Sequence, residues 1–204
     1  MPEQQRTVWT IGHSTHPIDD FLCLLHNHGI TAIADVRSMP FSRFNPQFNK
    51  VVLERALADA GIRYVFLGRE LGARSDDRSC YHDGRVSYSR LAQTASFREG
   101  IDRVIKGSET YRIALMCSEK DPLDCHRTIL IAEALGRHDI HVQHVLSSGE
   151  LESHAEALAR LQRLHGSNGS DLLPATLTEV LAQQEKKIAY LDHSMASDSE
   201  AKAQ

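Results

Sequence analysis

Two cysteines and a histidine lie close together in the second half of the chain, in the pattern CSE followed by CHR. A cysteine attacks as its thiolate, which a neighbouring cation or a helix N-terminus stabilises. Cys125 is predicted to lie in the first turn of a helix that Asp121 caps, beside Arg127. His126 can act as an acid or a base near neutral pH. The pattern therefore indicates nucleophilic chemistry at Cys117 or Cys125.

Packing is an alternative role for these residues. Cys117 ends an apolar strand, where a cysteine is commonly a small core residue. Arg127 could tie the start of its helix to Asp35 or Glu119. Familiar thiol templates also fit poorly, because neither Cys117 nor Cys125 has the arginine six positions later that a phosphatase loop needs, and no C-x-x-C occurs. These alternatives stay open at this point.

Metal and cofactor motifs are not evident. Structural zinc sites usually show paired ligands at close spacing, although Cys117, Cys125, His126 and His13 could converge. A Walker loop and a dinucleotide fingerprint are both missing. The sequence therefore predicts no metal and no cofactor.

The elements that position these residues alternate between strands and helices. β-type runs occupy residues 7–11, 30–36, 63–67, 111–116 and 140–146, and helical apolar spacing occupies 17–28, 51–60, 97–105 and 121–137. This order predicts an α/β fold, an open and mostly parallel five-stranded sheet with helices on both faces, that is, a three-layer sandwich.

Amphipathic helices are predicted after the last strand, over residues 150–164 and 177–191. We predict an α/β domain over residues 1–165, a C-terminal helical appendage over 166–192 and a disordered tail over 193–204. The C-terminal helices could cover the sheet or form a homodimer contact.

Polar side chains follow four consecutive predicted strands, and ligands bind open parallel sheets beyond the carboxyl ends of their strands. The predicted catalytic residues are Cys117, Cys125, His126, His13 and Asp35, and the predicted substrate-binding residues are Ser14, Arg37, Ser42, Arg43, Arg69, Glu119 and Arg127. The arginines would hold phosphate or carboxylate through forked hydrogen bonds. His126 or His13 would be the acid or base, and Asp35 would orient a basic partner.

The segment from Ser42 to Phe48 mixes arginine, amide side chains and two aromatic rings, so it could stack on a base. We favour the alternative that Phe44 and Phe48 pack onto the core. The remaining histidines, including His144 and His154, are predicted to be surface or hydrogen-bonded residues without a functional role.

Charge is unevenly distributed along the 204 residues. The net charge is −4, yet residues 37–106 carry 13 Lys/Arg against 8 Asp/Glu, or +5, and the remainder carries 10 against 19, or −9. This favours a local anion site over a general polyanion-binding surface. No secretory signal or run of the roughly 20 apolar residues of a membrane span is evident. Four cysteines are too few for a disulfide scaffold, so we predict a cytoplasmic protein with reduced thiols and no membrane partner.

Several motifs in this order resemble the family called domain of unknown function 488. The residues are Gly12-His-Ser14, Asp35-Val-Arg-Ser-Met-Pro-Phe-Ser-Arg43, Leu67-Gly-Arg-Glu-Leu-Gly72 and Met116-Cys-Ser-Glu119 with Cys125-His-Arg127, and they cover roughly residues 7–147. Ala73 replaces a glycine common at that position. The resemblance implies a cytosolic bacterial α/β protein and does not imply an activity.

Three functions compete on this evidence. The first is an enzyme, a cysteine-dependent hydrolase or transferase acting on a small anionic, nucleotide-like or nucleic-acid-derived substrate. The second is a non-catalytic module that binds nucleotides or nucleic acid. The third is a thiol redox sensor in which Cys117 and Cys125 form a disulfide.

Overall fold

The computed structural model describes residues 6–166 and 175–195. Its strands are β1 (Thr7–Gly12), β2 (Ala32–Asp35), β3 (Arg63–Phe66), β4 (Tyr81–His82), β5 (Arg85–Val86), β6 (Ile113–Cys117), β7 (His141–Val145) and β8 (Leu151–Ser153). Six of them form one sheet in the order β3-β2-β6-β1-β7-β8, in which the first five are parallel and β8 runs antiparallel to β7. Strands β4 and β5 form a separate hairpin.

Helices cover both faces of the sheet. They are α1 (Ile18–Asn27), α2 (Lys50–Asp59), α3 (Gly68–Leu71), α4 (Tyr88–Leu91), α5 (Ala95–Gly107), α6 (Glu133–Gly136), α7 (His154–Gly166) and α8 (Leu177–Ile188). Short 3-10 turns lie at Pro46–Phe48, Arg78–Cys80 and Pro122–Asp124, and a π-helical segment, Arg127–Ala132, leads into α6.

Two separate hydrophobic cores show the three-layer arrangement. Phe21 of α1 and Leu53 of α2 belong to the core on one face of the sheet. Phe97 of α5, Leu161 of α7 and Val180 of α8 belong to the core on the other face. Because both faces are covered, every residue of β6 is buried, as the apolar run of a central parallel strand requires. The predicted α/β class is confirmed.

The sheet has one strand more than predicted. Residues 151–153 form the edge strand β8, where the sequence predicted the start of a helix. The helix begins at His154, because Ser153 and Glu156 form a reciprocal cap in which the Ser153 hydroxyl accepts from the Glu156 amide and the Glu156 carboxylate accepts from the Ser153 amide. Gly149, with φ of 88°, allows the tight reversal from β7 into β8.

The predicted continuous helix over residues 121–137 is wrong. Asp121 accepts a hydrogen bond from the Leu123 amide, but it caps only a 3-10 turn. Cys125 then adopts an extended conformation, with φ of −138° and ψ of 142°, and the π-helical segment begins at Arg127. Cys125 therefore precedes the helix instead of lying in its first turn.

The C-terminal segment packs against the α/β layers. Gln184 of α8 is buried and donates to the Leu123 carbonyl at 2.8 Å. Beyond α8, the Val86 amide donates to Tyr190 and the Asp192 amide to Gly84, so this segment extends the hairpin of β4 and β5. Of the predicted tail, residues 193–195 form a turn and 196–204 lie outside the described residues. Within the described ranges, no helix combines the length and apolarity needed to cross a membrane.

Candidate functional site

A cleft of about 400 Å³ opens at the carboxyl ends of β2 and β6. The connection after β2 leads to β3, toward one edge of the sheet. The connection after β6 leads to β7, toward the opposite edge. Neighbouring parallel strands whose connections diverge in this way leave a crevice between them, where α/β proteins bind ligands. The cleft therefore lies where the topology predicts a site.

The walls of the cleft come from five parts of the chain. The lining residues are Arg37, Ser38, Met39 and Phe41 after β2, Ala73 and Arg74 after α3, Tyr88 of α4, Cys117 at the end of β6 with Ser118, Glu119, Asp124, Cys125 and His126 after it, and Ile188 and Tyr190 at and beyond the end of α8. The C-terminal segment thus supplies part of the wall.

Two thiols and one imidazole meet at the floor of this cleft. The Nδ1 atom of His126 lies 3.8 Å from Sγ of Cys117 and 3.7 Å from Sγ of Cys125. On the other side of the ring, Nε2 lies 3.2 Å from the Val36 carbonyl oxygen. Because a carbonyl only accepts, the proton of a neutral ring resides on Nε2 and leaves Nδ1 as an acceptor toward the sulfurs.

Polar contacts distinguish the two sulfurs. Sγ of Cys125 lies 3.0 Å from Oε2 of Glu119 and 3.5 Å from the amide nitrogen of Arg127. Burial by itself would raise the pKa of Cys125, but a hydrogen bond from Cys117 and the charges of Arg127 and His126 together lower it well below the ordinary value. The hydrogen bond with Cys125 and burial raise the pKa of Cys117 well above it. Cys125 is therefore the better thiolate.

The two acid–base groups beside the thiols have raised pKa values. Burial opposes the charged form of His126, yet the neighbouring Cys125 thiolate outweighs it and raises the pKa of the imidazole. Burial and the Cys125 charge raise the pKa of the Glu119 carboxyl. Both groups consequently favour the protonated form beside a Cys125 thiolate.

The cluster also has the donor atoms of a metal site. The two Sγ atoms and Nδ1 of His126 all lie within 4.8 Å of one another. The sequence predicted no metal because close pairing of ligands was absent, but the loop between Cys117 and Cys125 brings the three atoms together in space.

A buried network beneath the cleft contains three of the predicted site residues. Nε and Nη2 of Arg37 donate to Asp35 at 2.9 and 2.7 Å, Nη2 also donates to the Phe48 carbonyl, and Nη1 donates to Nε2 of His13 at 3.2 Å. Within the described part of the chain, four of the five N–H donors of Arg37 are thus engaged. The basic partner of Asp35 is Arg37, and a catalytic role for Asp35 stays a prediction.

His13 lies outside the cleft lining. Nδ1 of His13 donates to the Ser14 carbonyl at 2.8 Å and its ring stacks on Phe48 at 4.2 Å. Burial lowers the pKa of His13 to about 4, and the charge of Arg37 acts in the same direction. The hydrogen bond to Ser14 and the charge of Asp35 oppose this decrease. His13 is therefore a neutral acceptor for Arg37.

Arg127 holds the loop that carries Glu119. Its side chain is fully buried, and Nη1 donates to the Glu119 carbonyl at 2.9 Å. A side chain at Gly12 would overlap this same carbonyl oxygen, which explains the glycine at the end of β1. Arg127 does not line the cleft among the described residues, so its contacts agree with the tying role that the sequence offered as an alternative.

Four other predicted binding residues lie away from the cleft lining. The Ser14 amide donates to the Ser118 carbonyl, and the Ser42 hydroxyl accepts from the Asn45 amide within its own loop. Arg43 and Arg69 are exposed. Among the described residues, the structure places none of these four at the cleft wall.

Sequence reasoning missed Ser38, Arg74, Tyr88 and Tyr190. The Arg74 guanidinium lies 4.4 Å from the centre of the Tyr190 ring, and the Arg74 amide donates to the Ser38 hydroxyl. Burial, with the Cys125 charge next, raises the pKa of Tyr88 and keeps its phenol protonated. Ser38 directly follows Arg37, a predicted binding residue, so its position could have been inferred. No local sequence pattern predicts that Tyr88 and Tyr190 reach the cleft from distant segments.

Comparison with known protein families matches residues 17–135 to the Domain of unknown function DUF488. No curated protein and no solved structure matches the chain. The matched segment runs from α1 to α6 and includes the whole thiol cluster, and it covers more than half of the chain. The protein therefore belongs to the DUF488 family.

Proposed function

We propose that this protein is an enzyme in which Cys125 attacks a small anionic substrate bound in the cleft, with His126 as the acid and base. The observation that carries the proposal is the position of Cys125 at the cleft floor, with its sulfur 3.7 Å from Nδ1 of an imidazole whose Nε2 is held by the Val36 carbonyl. A nucleophile, a base and a group that orients the base are the parts that covalent catalysis requires.

The proposed reaction has two balanced steps. The Cys125 thiolate forms a bond to the electrophilic centre of the substrate, and the leaving group departs with the proton that Nδ1 of His126 holds. Water or another acceptor then attacks the sulfur-bound group, gives its proton to Nδ1 of His126, and breaks the bond to sulfur, which restores the thiolate and the protonated imidazole. Water as the acceptor makes the protein a hydrolase, and another nucleophile makes it a transferase.

Two arginines support an anionic substrate. Arg74 lies on the cleft wall and is exposed, and no carboxylate in the described part of the chain forms an ion pair with it. Arg37 offers its remaining N–H donor from below. Of the two acids in the wall, Asp124 is paired with Lys187 at 2.8 Å. Forked hydrogen bonds from Arg74 would hold a phosphate or carboxylate above Cys125.

The proposed chemistry requires a reducing compartment. A thiolate nucleophile at Cys125 must stay reduced beside the neighbouring sulfur of Cys117, with which it would otherwise form a disulfide. We therefore place the protein in the cytoplasm.

A second candidate is a module that binds nucleotides or nucleic acid without turnover. The loop after β2 supports it, because the ring of Phe44 is 81% exposed with the Arg43 guanidinium 4.9 Å above it, and Phe41 of the cleft wall is 66% exposed. Exposed aromatic rings beside cations are suited to stacking on bases. Phe48, by contrast, packs into the core as the sequence favoured, whereas the same prediction for Phe44 is wrong because its ring lies on the exposed side of the loop.

The test is a search for products and for covalent adducts. The protein, in buffer free of metal ions, is incubated with nucleotides, small phosphate esters and short single-stranded oligonucleotides, and both solution and protein are analysed by mass spectrometry. We expect one compound class to give product and an adduct on Cys125. Cys125→Ser should abolish both, whereas Cys80→Ser, at an equally buried thiol, should retain them. Binding without product would favour the second candidate, and product from Cys125→Ser would refute the nucleophile.

A further inference from the structure

The donor atoms at the cleft floor have the spacing of zinc ligands. Tetrahedral zinc, with bonds of about 2.3 Å to sulfur and about 2.0 Å to nitrogen, places a sulfur and a nitrogen ligand about 3.5 Å apart. The observed distances from Nδ1 of His126 are 3.8 Å to Cys117 and 3.7 Å to Cys125. Shifts of a few tenths of an ångström would bring each sulfur to the ligand spacing from this nitrogen, and all three atoms already lie within 4.8 Å of one another.

The imidazole is also oriented as a ligand. Metal-binding histidines commonly donate the proton of the second ring nitrogen to a carbonyl or carboxylate, which fixes the ring and leaves the first nitrogen for the metal. His126 has this arrangement, since Nε2 lies 3.2 Å from the Val36 carbonyl oxygen. Nδ1 is thereby directed toward the two sulfurs.

The fourth position faces the cleft. Oε2 of Glu119 lies 3.0 Å from Sγ of Cys125, and the Glu119 side chain is 42% exposed, so either this carboxylate or a molecule in the cleft could complete the site. With both cysteines and Glu119 ionised, the site would carry three negative charges, which a divalent cation and the buried Arg127 would balance. Thiolate and imidazole ligands select zinc over magnesium or calcium.

We propose that Cys117, Cys125 and His126 bind one zinc ion, with a fourth position open to Glu119 or to a ligand in the cleft. Three protein ligands and an exchangeable fourth position are the arrangement of catalytic rather than structural zinc sites. The inference stands apart from the proposed function, because zinc would bind the unmodified thiolates, whereas the covalent step uses Cys125 in metal-free protein.

The test is metal binding by the whole chain. Protein stripped with a chelator is titrated with Zn²⁺ in competition with a chromophoric chelator, and separately with Co²⁺, whose thiolate charge-transfer absorption reports sulfur ligation. We expect one ion per chain, a thiolate–cobalt band, and displacement of Co²⁺ by Zn²⁺. Cys117→Ser and Cys125→Ser should each weaken zinc binding at least about a hundredfold, while Cys80→Ser and Cys23→Ser should bind as the wild type does.

Several outcomes would overturn the zinc site. They are wild-type protein that binds less than one ion, a cobalt complex without a thiolate band, and zinc affinity that is unchanged in Cys125→Ser. The cobalt spectrum needs no variant, so it decides the question even if a substitution prevents folding. Zinc binding with no adduct and no product would retain this inference and reject the proposed function, and the reverse result would reject the zinc site alone.

Discussion

Two cavities of similar volume contain histidines, yet only one has the groups for chemistry. The cleft at the ends of β2 and β6 measures about 400 Å³, and a second cavity, bordered by His154, measures about 410 Å³. In the second region the polar atoms form a chain, in which Thr10 donates to His144, His144 to His154 and His154 to Glu133, at 2.7, 3.2 and 2.8 Å. The Glu133 carboxylate only accepts, so the direction of the whole chain follows from it.

The difference lies in the partners of the polar atoms. Every ring nitrogen of His144 and His154 is hydrogen-bonded, so these two imidazoles have no nitrogen left for a substrate. In the thiol cluster, the partners of Nδ1 of His126 among the described residues are the two sulfurs, at the floor of a cleft. Cavity volume is therefore a weaker guide to function than unengaged polar groups that converge.

The largest expected effect separates the two regions by activity. Cys125→Ser should lower turnover of any substrate of the cleft at least about a thousandfold, because the nucleophile is lost. His154→Gln, in the histidine chain, should leave turnover per folded molecule unchanged. Rates are measured on protein whose folded fraction is fixed by circular dichroism. Equal losses in the two variants would break the comparison.

Beneath the cleft, stability should depend on the buried ion pair. Asp35→Asn should lower the free energy of unfolding by about 3–5 kcal/mol, since it leaves the Arg37 charge buried without its partner. Glu109→Gln, which weakens the exposed pair with Arg6, should cost less than about 1 kcal/mol. Denaturant unfolding of both variants measures the difference. Similar losses in the free energy of unfolding would show that the buried Asp35–Arg37 pair stabilises the fold no more than a surface pair does.

The histidine chain should make the free energy of unfolding depend on pH. Burial, followed by the electrostatic effects of His154 and Arg127, lowers the pKa of His144 to about 3, below the ordinary value of 6.5. The unfolded chain then binds more protons between these values, so stability is present above pH 6.5 and falls as the pH falls toward 3. The contribution of His144 approaches about 1.4 kcal/mol per pH unit.

Matched variants isolate this contribution. His144→Gln should flatten the dependence of the unfolding free energy on pH below 6.5, while His141→Gln, at an exposed position of the same strand, should preserve it. Denaturant unfolding at a series of pH values gives both slopes. Equal slopes in the two variants would show that His144 does not titrate as the structure indicates.

The smallest expected effect concerns the anion. Arg74→Ala should raise KM about tenfold, the loss of one charge-assisted contact, with stability within about 0.5 kcal/mol of wild type. Arg98→Ala, at an exposed position of helix α5, serves as the control. Steady-state kinetics on the substrate found for the cleft gives the two constants. An unchanged KM in Arg74→Ala would remove Arg74 from the binding site.

Much of the fold could be predicted from the sequence, because long apolar runs and helical spacing alternate through residues 7–146. Strand β8 was not predicted, because Leu151–Ser153 is short and mostly polar and pairs with β7 only after the chain reverses at Gly149. The break at Cys125 escaped as well, because Asp121 and Pro122 form a helix-start signal that serves a single 3-10 turn.

The sequence predicted where the site lies, but not which side chains contact one another there. The carboxyl ends of the strands mark Cys117, Cys125 and His126 without knowledge of strand order. Which arginine faces the cleft depends on tertiary contacts. The sequence therefore assigned a binding role to Arg43, which lies away from the cleft, and assigned none to Arg74, which lines it. Tyr190 reaches the cleft only because α8 folds back on the α/β layers.

The central claim is tested most directly by comparing two thiols of equal burial. Cys125 and Cys80 are each 1% exposed, so a difference in their alkylation rates reports the surroundings of the sulfur and not its exposure. In metal-free buffer, with rates read at each cysteine by mass spectrometry, we expect Cys125 to react at least about tenfold faster than Cys80. A nucleotide or phosphate ester that occupies the cleft should slow Cys125 and leave the exposed Cys23 unaffected. Equal rates at Cys125 and Cys80, with no protection by any compound, would contradict the account.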